Sequence, residues 1–279
     1  MLRTTSTPVR ALTSADRDKA LELCARDPAA NVFVAARILD GALDSGVPSL
    51  WGVDEDGDLA AMVWALANVV PVETTASSRA VLADRVRRHR RRCASYLGPS
   101  DQVLPLWELT GPHLLRPRAI RASQPLMGIT GPPLGAIDAR VRPGRPHEVD
   151  LVLPASARMF TDEIGYPPYV GDERPYRAAL RRLLEAGQTY VVVERGEVIF
   201  KADVGSVALG CAQVQGVWLA PGLRGQGLAA GLMAAVIEQI RADHAPFVTL
   251  YVNDFNVAAR ATYRRIGMLE IGEYATILL

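Results

Sequence analysis

One stretch, Val217 to Ala235, constrains this chain more than any other: it reads VWLAPGLRGQGLAAGLMAA. Its first residues are β-branched and aromatic, as a strand requires. Further on, Ala229, Leu232, Met233, Val236 and Ile240 recur at helical spacing on one face. Arg224-Gly225-Gln226-Gly227 therefore sits where a strand passes into a helix. The first N–H groups of a helix have no partner within it, and they carry the positive end of its dipole. Gly225 and Gly227 place no side chain in front of those groups, so a large anion can approach the backbone. The stretch predicts a cradle for a phosphate or pyrophosphate.

Two common cradles do not fit. A loop of the GxxxxGK[ST] type needs a Lys followed by Ser or Thr, and neither follows these glycines. A dinucleotide fingerprint, GxGxxG, needs an early position in a βαβ unit and a later acid for the ribose. Gly225, Gly227 and Ala230 approach that spacing, but they lie late in the chain, after what reads as an antiparallel meander. From the residues alone, two readings remain: an anion cradle, or an ordinary glycine-rich turn from strand to helix.

A chain of 279 residues is long for one core and comfortable for two domains. Its 31 basic and 30 acidic side chains give no global attraction to an anionic membrane and argue against nucleic acid as a partner. Cys24, Cys93 and Cys211 are scattered, without CxxC or Cys/His spacing, so buried reduced thiols are expected and no metal. The N-terminus, MLRTTSTPVRALTSADRDK, lacks the apolar run of a signal peptide. Leu59 to Val72, the longest apolar stretch, contains Asn68 and is too short for a bilayer core of roughly 30 Å. The expectation is a soluble, cytoplasmic protein.

Along the chain, Val9 to Leu12 reads as a strand, followed by a helix holding Leu21 and Leu23 and a second over Ala29 to Leu39. Leu50 to Val53 and Leu59 to Val70 read as two strands around an acidic turn, Asp54 to Asp58. Ser77 to Tyr96 reads as helical and carries six arginines between Arg85 and Arg92, either a phosphate-binding patch or a solvated face. Arg121 to Ile129 ends in a strand. TGPPLG, from Thr130 to Gly135, marks a domain boundary, after which the opening pattern returns as a weak repeat. The second half predicts helices over Glu148 to Ile164 and Asp172 to Ala186. Strands follow at Thr189 to Val193, Val198 to Val204 and Ala208 to Leu219, with turns at Arg195-Gly196-Glu197 and Gly205-Ser206. After the cradle helix come a strand at Phe247 to Val252, a helix from Val257 to Ile266 and final strands over Leu269 to Leu279.

Arg224, Gly227 and Ala229 match the pattern [RQ]-x-x-G-x-[GA], which resembles the acyl-CoA pyrophosphate loop of the GNAT N-acetyltransferases. The order β-α-α-β-β-β-α-β-α-β is also similar to that family's. So is a late Asn, small-residue, Tyr and Gly series: Asn256, Ala258, Ala259, Tyr263 and Gly267-Met268. The resemblance covers about Ala136 to Leu279. Through MFTDEIGYPP, VIFKADVG, VQGVWLAP and YVNDFNVAARATYRRIGM, the whole chain further resembles an actinobacterial group in which a divergent GNAT-like domain precedes a GNAT domain. The resemblance implies an α/β (α+β) fold of tandem GNAT-like domains, each a mixed, mostly antiparallel sheet flanked by helices. Residues 1–133 would form the divergent domain without an intact CoA loop, and residues 134–279 the acetyltransferase domain.

The resemblance also implies roles. Backbone groups of Val217, Trp218 and Leu219 would bind the pantetheine arm of acetyl-CoA like an added strand, where the two neighbouring strands splay apart. A backbone N–H near Val217 would polarise the acetyl carbonyl. Amides of Gly225, Gln226, Gly227, Leu228 and Ala229 would hold the pyrophosphate, Arg224 would add charge or brace the loop, and Asn256 would contact the pantetheine side. By the motif match Tyr263 is the candidate general acid for the departing thiolate; spacing alone favours a core tyrosine. Glu163 is the first carboxylate considered as a base, with Asp203 behind it, and loss of the amine's proton to solvent is an alternative. Tyr166 and Tyr169 either line an acceptor pocket or pack on their own loop. The implied activity uses acetyl-CoA as co-substrate on a primary amine of a small molecule or a protein. A non-enzymatic acyl-CoA sensor or scaffold is the alternative, and an aminoacyl transferase using aminoacyl-tRNA is a third. A homodimer is compatible with the sequence.

Overall fold

The computed structural model describes residues 9–89, 93–111 and 116–279, without the side chain of His89. The first eight residues of the N-terminal stretch and Arg90-Arg91-Arg92 of the arginine run lie outside the described residues. In chain order the elements are β1 (Val9–Ala11), α1 (Arg17–Cys24), α2 (Pro28–Leu39), β2 (Leu50–Glu55), β3 (Asp58–Ala65), β4 (Asn68–Val72), α3 (Ala76–His89), β5 (Ser95–Pro99), α4 (Ser100–Thr110) and β6 (Ala119–Ile129). There follow β7 (Arg142–Pro143), α5 (Val149–Ile164), α6 (Arg174–Glu185), β8 (Thr189–Glu194), β9 (Glu197–Ala208), β10 (Cys211–Leu219), α7 (Leu228–Asp243), β11 (Phe247–Tyr251), α8 (Val257–Arg265) and β12 (Leu269–Leu278). Among the described residues no helix is long and apolar enough to cross a membrane.

These elements form two compact units that no single cut separates. The first holds the described residues up to Met127 together with Tyr251–Asn256 and Glu270–Leu279. The second holds Gly128–Leu250 and Val257–Leu269. The last strand, which the sequence suggests for the second half, thus completes the first unit. There the strand order is β1-β2-β3-β4-β5-β12-β6, and β12 pairs antiparallel with β5 from Tyr274↔Pro99 to Leu278↔Ser95. Ala275 and Ile277 of β12 are buried with Val63, Val69, Leu82, Tyr96 and Leu106 in one core. The Tyr274 hydroxyl donates to the carbonyls of Ala29 and Ala30 at 3.2 and 2.6 Å.

Three boundaries in the first unit differ from the sequence reading. Leu59 to Val70 is not one strand: the chain reverses at Leu66-Ala67, and β3 pairs antiparallel with β4. Both strands are buried along most of their length, so Asn68 is the one polar residue that marks the reversal within the apolar run. Ser95 and Tyr96 belong to β5, not to the helix before it, and Ser100–Thr110 forms a helix that the sequence reading leaves out. At the start of α3, which follows β4, N–H groups find side-chain partners from α3 itself, from the segment before it and from α4. Thr74 N–H donates to Gln102 Oε1 (2.9 Å), Thr75 N–H to Ser78 Oγ (2.8 Å) and Ser78 N–H to Thr75 Oγ1 (3.3 Å). Arg85 stacks on the Trp51 ring at 3.4 Å, and Arg87 bonds the Leu109 carbonyl and Asp84. Both of these arginines of the basic run are therefore engaged within the unit.

The second unit has the strand order β11-β10-β9-β8-β7. Val149, Val152 and Leu153 of α5 and Leu180 and Leu184 of α6 bury against Val191, Val198 and Trp218 of the sheet. The predicted apolar stripe of α7 is buried at Leu232, Met233, Val236 and Ile240. The turn expected at Gly205-Ser206 is displaced. Strand β9 runs on to Ala208, and the hairpin turns at Leu209-Gly210, with Ala208 opposite Cys211. Gly205 is an interior strand position whose missing Cβ leaves room for the Gln215 amide, 2.3 Å from where it would lie.

Because β12 lies between β5 and β6, a fragment of residues 1–133 lacks an inner strand of its sheet. We expect no cooperative thermal transition from that fragment alone, and a transition restored by adding a peptide of residues 269–279. A cooperative transition without the peptide would contradict this account of the unit.

Candidate functional site

The second unit's sheet opens at one place. Strand β10 pairs parallel with β11 over Cys211↔Phe247, Ala212↔Val248 and Gln213↔Thr249, and there the pairing ends. Strand β10 itself runs six residues further, to Leu219. On its other side it stays paired with β9, but the register slips between Gln213 and Val214 and again between Gln215 and Trp218. In the second slip, Gly216 and Val217 stand opposite the single residue Ala202, which is a β-bulge. Gly216 takes a left-handed φ of +60°. A Cβ there would lie 2.8 Å from Asp203 Oδ2, 3.1 Å from Lys201 Nζ and 3.2 Å from Met159 Cε. Conformation and space both require glycine.

Beyond the bulge the backbone directions can be assigned. Ala220 N–H donates to the Ile199 carbonyl of β9 at 2.8 Å. Backbone groups alternate along a strand, so Trp218 also faces β9 while Val217 and Leu219 face the side that β11 has left. The Trp218 side chain is buried in the core, and its backbone is the only part of it open to a site role. The Leu219 carbonyl accepts a bond from Arg224 Nε at 2.9 Å, and Arg224 also reaches Asp162 at 3.4 Å. Arg224 thus braces the end of β10 against the loop.

The loop closes on itself through Gln226 Nε2, which donates to the Gly222 carbonyl at 2.8 Å. Gly225 and Gly227 have φ of +76° and +78°, and no heavy atom lies within 4 Å of where a Cβ would sit on either. Helix α7 begins directly after Gly227, so the N–H groups of its first turn, from Leu228 on, lie behind an open surface. Beside them is a cavity of about 560 Å³ between the first turn of α7, Arg265 at the end of α8, and the segment from Leu134 to Ala139. That segment is pinned by Leu134 N–H to the Ile266 carbonyl (2.9 Å) and by Asp138 N–H to the Gly231 carbonyl (3.1 Å).

Tyr263 of α8 is buried. Burial raises its phenol pKa well above the ordinary range, and the negative charge of Glu163 raises it further. Glu163 is exposed on α5, one helical turn beyond Met159, whose methyl group lies 3.2 Å from where a Cβ on Gly216 would sit. Asn256 is exposed on the turn before α8, in the segment counted with the first unit. Asp203 is not open to act as a base: its Oδ1 accepts from Thr189 Oγ1 (2.9 Å) and its Oδ2 from Lys201 Nζ (2.5 Å). Burial and the nearby Asp203 charge push Tyr176 up to about 12. Tyr166 packs edge-on against Phe160 of α5, and Tyr169 against Tyr176 of α6, so these rings of the Pro/Tyr loop pack on the flanking helices.

The sequence reading misses Gly216 and Lys201. A lone glycine inside the strand VQGVWL is a signal for a bulge. A lysine two residues before an aspartate in the apolar run VIFKADV puts both charges on one strand face, and here that face is buried. Among the described residues no group of His, Cys, Asp and Glu could hold a metal ion.

Residues 157–268 match the model of the acetyltransferase (GNAT) family, and residues 48–152 match that of a domain of unknown function, DUF4081. No curated protein matches the chain. A solved GCN5-related N-acetyltransferase from Sphaerobacter thermophilus is 19% identical, with a TM-score of 0.59 over 97% of this chain and 94% of that one. A GNAT-family acetyltransferase from Colwellia psychrerythraea is 10% identical, with a TM-score of 0.57 over 98% and 99% of the two chains. A tandem GNAT protein from the clavulanic acid biosynthesis pathway is 12% identical, with a TM-score of 0.56 over 96% and 97%. These similarities are ones of fold. They agree with the expected class, a mixed α/β structure of mostly antiparallel sheets flanked by helices.

Replacing Gly216 with Val should lower the unfolding free energy by about 2 kcal/mol or more, through left-handed strain and overpacking against Met159 and the Lys201–Asp203 pair. Urea denaturation measures it, and an unchanged midpoint would mean the bulge is not held as described.

Proposed function

With residues 157–268 an acetyltransferase (GNAT) family domain, we propose that this protein transfers an acetyl group from acetyl-CoA to a primary amine. The observation that carries the reading is the unpaired edge of β10 running directly into the glycine cradle of α7. An extended pantetheine arm can add to that edge as a short strand, through the backbone of Val217 and Leu219. The Leu219 carbonyl already has the Arg224 guanidinium as a partner, so the pantetheine would share it or use the neighbouring groups. The pyrophosphate would then lie on the amides of Gly225 to Ala229, where the helix N-terminus favours negative charge. The cavity beside Leu228 and Arg265 is of a size to take the nucleotide end.

The chemistry follows from what the site must supply. The amine nitrogen attacks the thioester carbonyl, and the oxygen that gains charge needs an N–H donor, which we assign to Val217. The C–S bond breaks, and the departing thiolate takes its proton from the Tyr263 phenol. The proton lost by the amine goes to Glu163 or to solvent. The acceptor is a small-molecule or protein amine.

The test is release of CoA thiol on a panel of primary amines. With an amine that supports turnover, Tyr263→Phe should lower kcat roughly 100-fold or more while leaving acetyl-CoA affinity within about twofold. The raised pKa of Tyr263 keeps the phenol protonated as pH passes the ordinary phenol value of about 10, so kcat should not fall on the alkaline side up to that pH. Unchanged turnover in Tyr263→Phe would remove it as the acid. Tight acetyl-CoA binding without thiol release on any amine would favour a non-enzymatic acyl-CoA sensor.

A further inference from the structure

Resting on the acetyl-CoA reading above, we infer that Lys201, held by Asp203, is a positioning residue that aims and polarises the Val217 N–H toward the acetyl carbonyl. The starting observation is a buried ion pair that the core does not need. Lys201 and Asp203 are 0% and 4% exposed, on a strand whose neighbours Phe200, Ala202 and Val204 are also buried. An apolar pair of similar volume would fill that space as well or better.

The pair's hydrogen bonds lead in one direction. Thr189 Oγ1 donates to Asp203 Oδ1 at 2.9 Å, and Lys201 Nζ donates to Asp203 Oδ2 at 2.5 Å. The same ammonium donates to the carbonyl of Gly216 at 3.1 Å. The chain of bonds therefore ends on the bulge peptide. The peptide joining Gly216 and Val217 is trans, so its C=O and N–H point in opposite directions. Fixing the carbonyl on Lys201 turns the N–H away from Lys201. Strand alternation independently puts the Val217 backbone on the side that β11 has left.

Two consequences follow for a bound thioester. A donor held at both ends of its peptide need not reorganise as charge develops on the carbonyl oxygen. A cation on the C=O draws electron density through the amide and makes the N–H a stronger donor. The absence of a side chain at Gly216 belongs to the same device, because Lys201 Nζ and Asp203 Oδ2 occupy the space its Cβ would take. Lys201 and Asp203 touch neither substrate nor any reacting atom in this scheme, and they act only through the peptide.

The test separates this role from a structural one with the double variant Lys201→Met/Asp203→Leu, which removes both charges and leaves an apolar core. Acetyl-CoA labelled with ¹³C at the carbonyl is titrated into wild type and variant, and the bound carbonyl stretch is read by infrared difference spectroscopy. We expect acetyl-CoA affinity within about threefold of wild type, a carbonyl stretch lowered on binding to the wild type, and most of that lowering lost in the variant. On any amine that supports turnover, kcat should fall about tenfold or more. Lys201→Gln/Asp203→Asn, which keeps hydrogen bonds without charge, provides the same comparison if the apolar pair does not fold, with a partial loss expected. The same lowering in wild type and variant, or an unshifted carbonyl in bound wild type, would overturn the inference and leave acetyl-CoA binding standing. Failure of the wild type to bind acetyl-CoA would remove the acetyl-CoA reading and this inference with it.

Discussion

The second unit depends on a strand edge that its own sheet does not use. Strand β10 keeps β9 on one side to its end but has β11 on the other only through Gln213. A strand edge with unpaired N–H and C=O groups is costly when buried and invites pairing when open. Everything nearby is arranged around that edge. The bulge at Gly216 and Val217 changes its direction, Arg224 braces its last carbonyl, and the glycine turn after it delivers the chain to the positive end of α7. A linear ligand with amides along its middle and a diphosphate further on matches this sequence of features in order.

The first unit is built differently at the corresponding place. Around the start of its helix after β4, the Thr74 and Thr75 N–H groups just before it are bonded to the Gln102 and Ser78 side chains, and the Ser78 N–H of its first turn to Thr75 Oγ1. Its sheet instead takes in β12, the last strand of the chain, whose Ala275 and Ile277 enter the first unit's core. The chain therefore passes between the two units four times, after Met127, Leu250, Asn256 and Leu269. This joining explains why a boundary at a single point, such as TGPPLG, captures only part of the organisation.

Much of this was legible in the residues because local rules and tertiary needs agree. The Gly225-Gln226-Gly227 turn, the apolar stripe of α7 and the amphipathic α5 are each decided within one or two turns of chain. The errors fall where the deciding partner is distant. The Gly205-Ser206 pair reads as a turn, but the extended β9 uses Gly205 to accommodate Gln215 of the facing strand. The reversal at Leu66-Ala67 lies inside one apolar run because β3 and β4 are both buried. Leu269 to Leu279 has the residues of a strand, and nothing in them says which sheet receives it. The Lys201–Asp203 pair is visible in VIFKADV, yet its meaning depends on Gly216, fifteen residues further on.

The most direct test of the central claim is a thermal-shift titration of the full chain with acetyl-CoA, with NADH as control, on wild type and Gly227→Glu. At about 100 times Kd a ligand stabilises by roughly 2.7 kcal/mol, enough to raise the midpoint by several degrees. The account predicts that rise with acetyl-CoA, none with NADH, and its loss in Gly227→Glu, where a carboxylate would stand in the cradle. An equal rise in Gly227→Glu, or none with acetyl-CoA in the wild type, would contradict it.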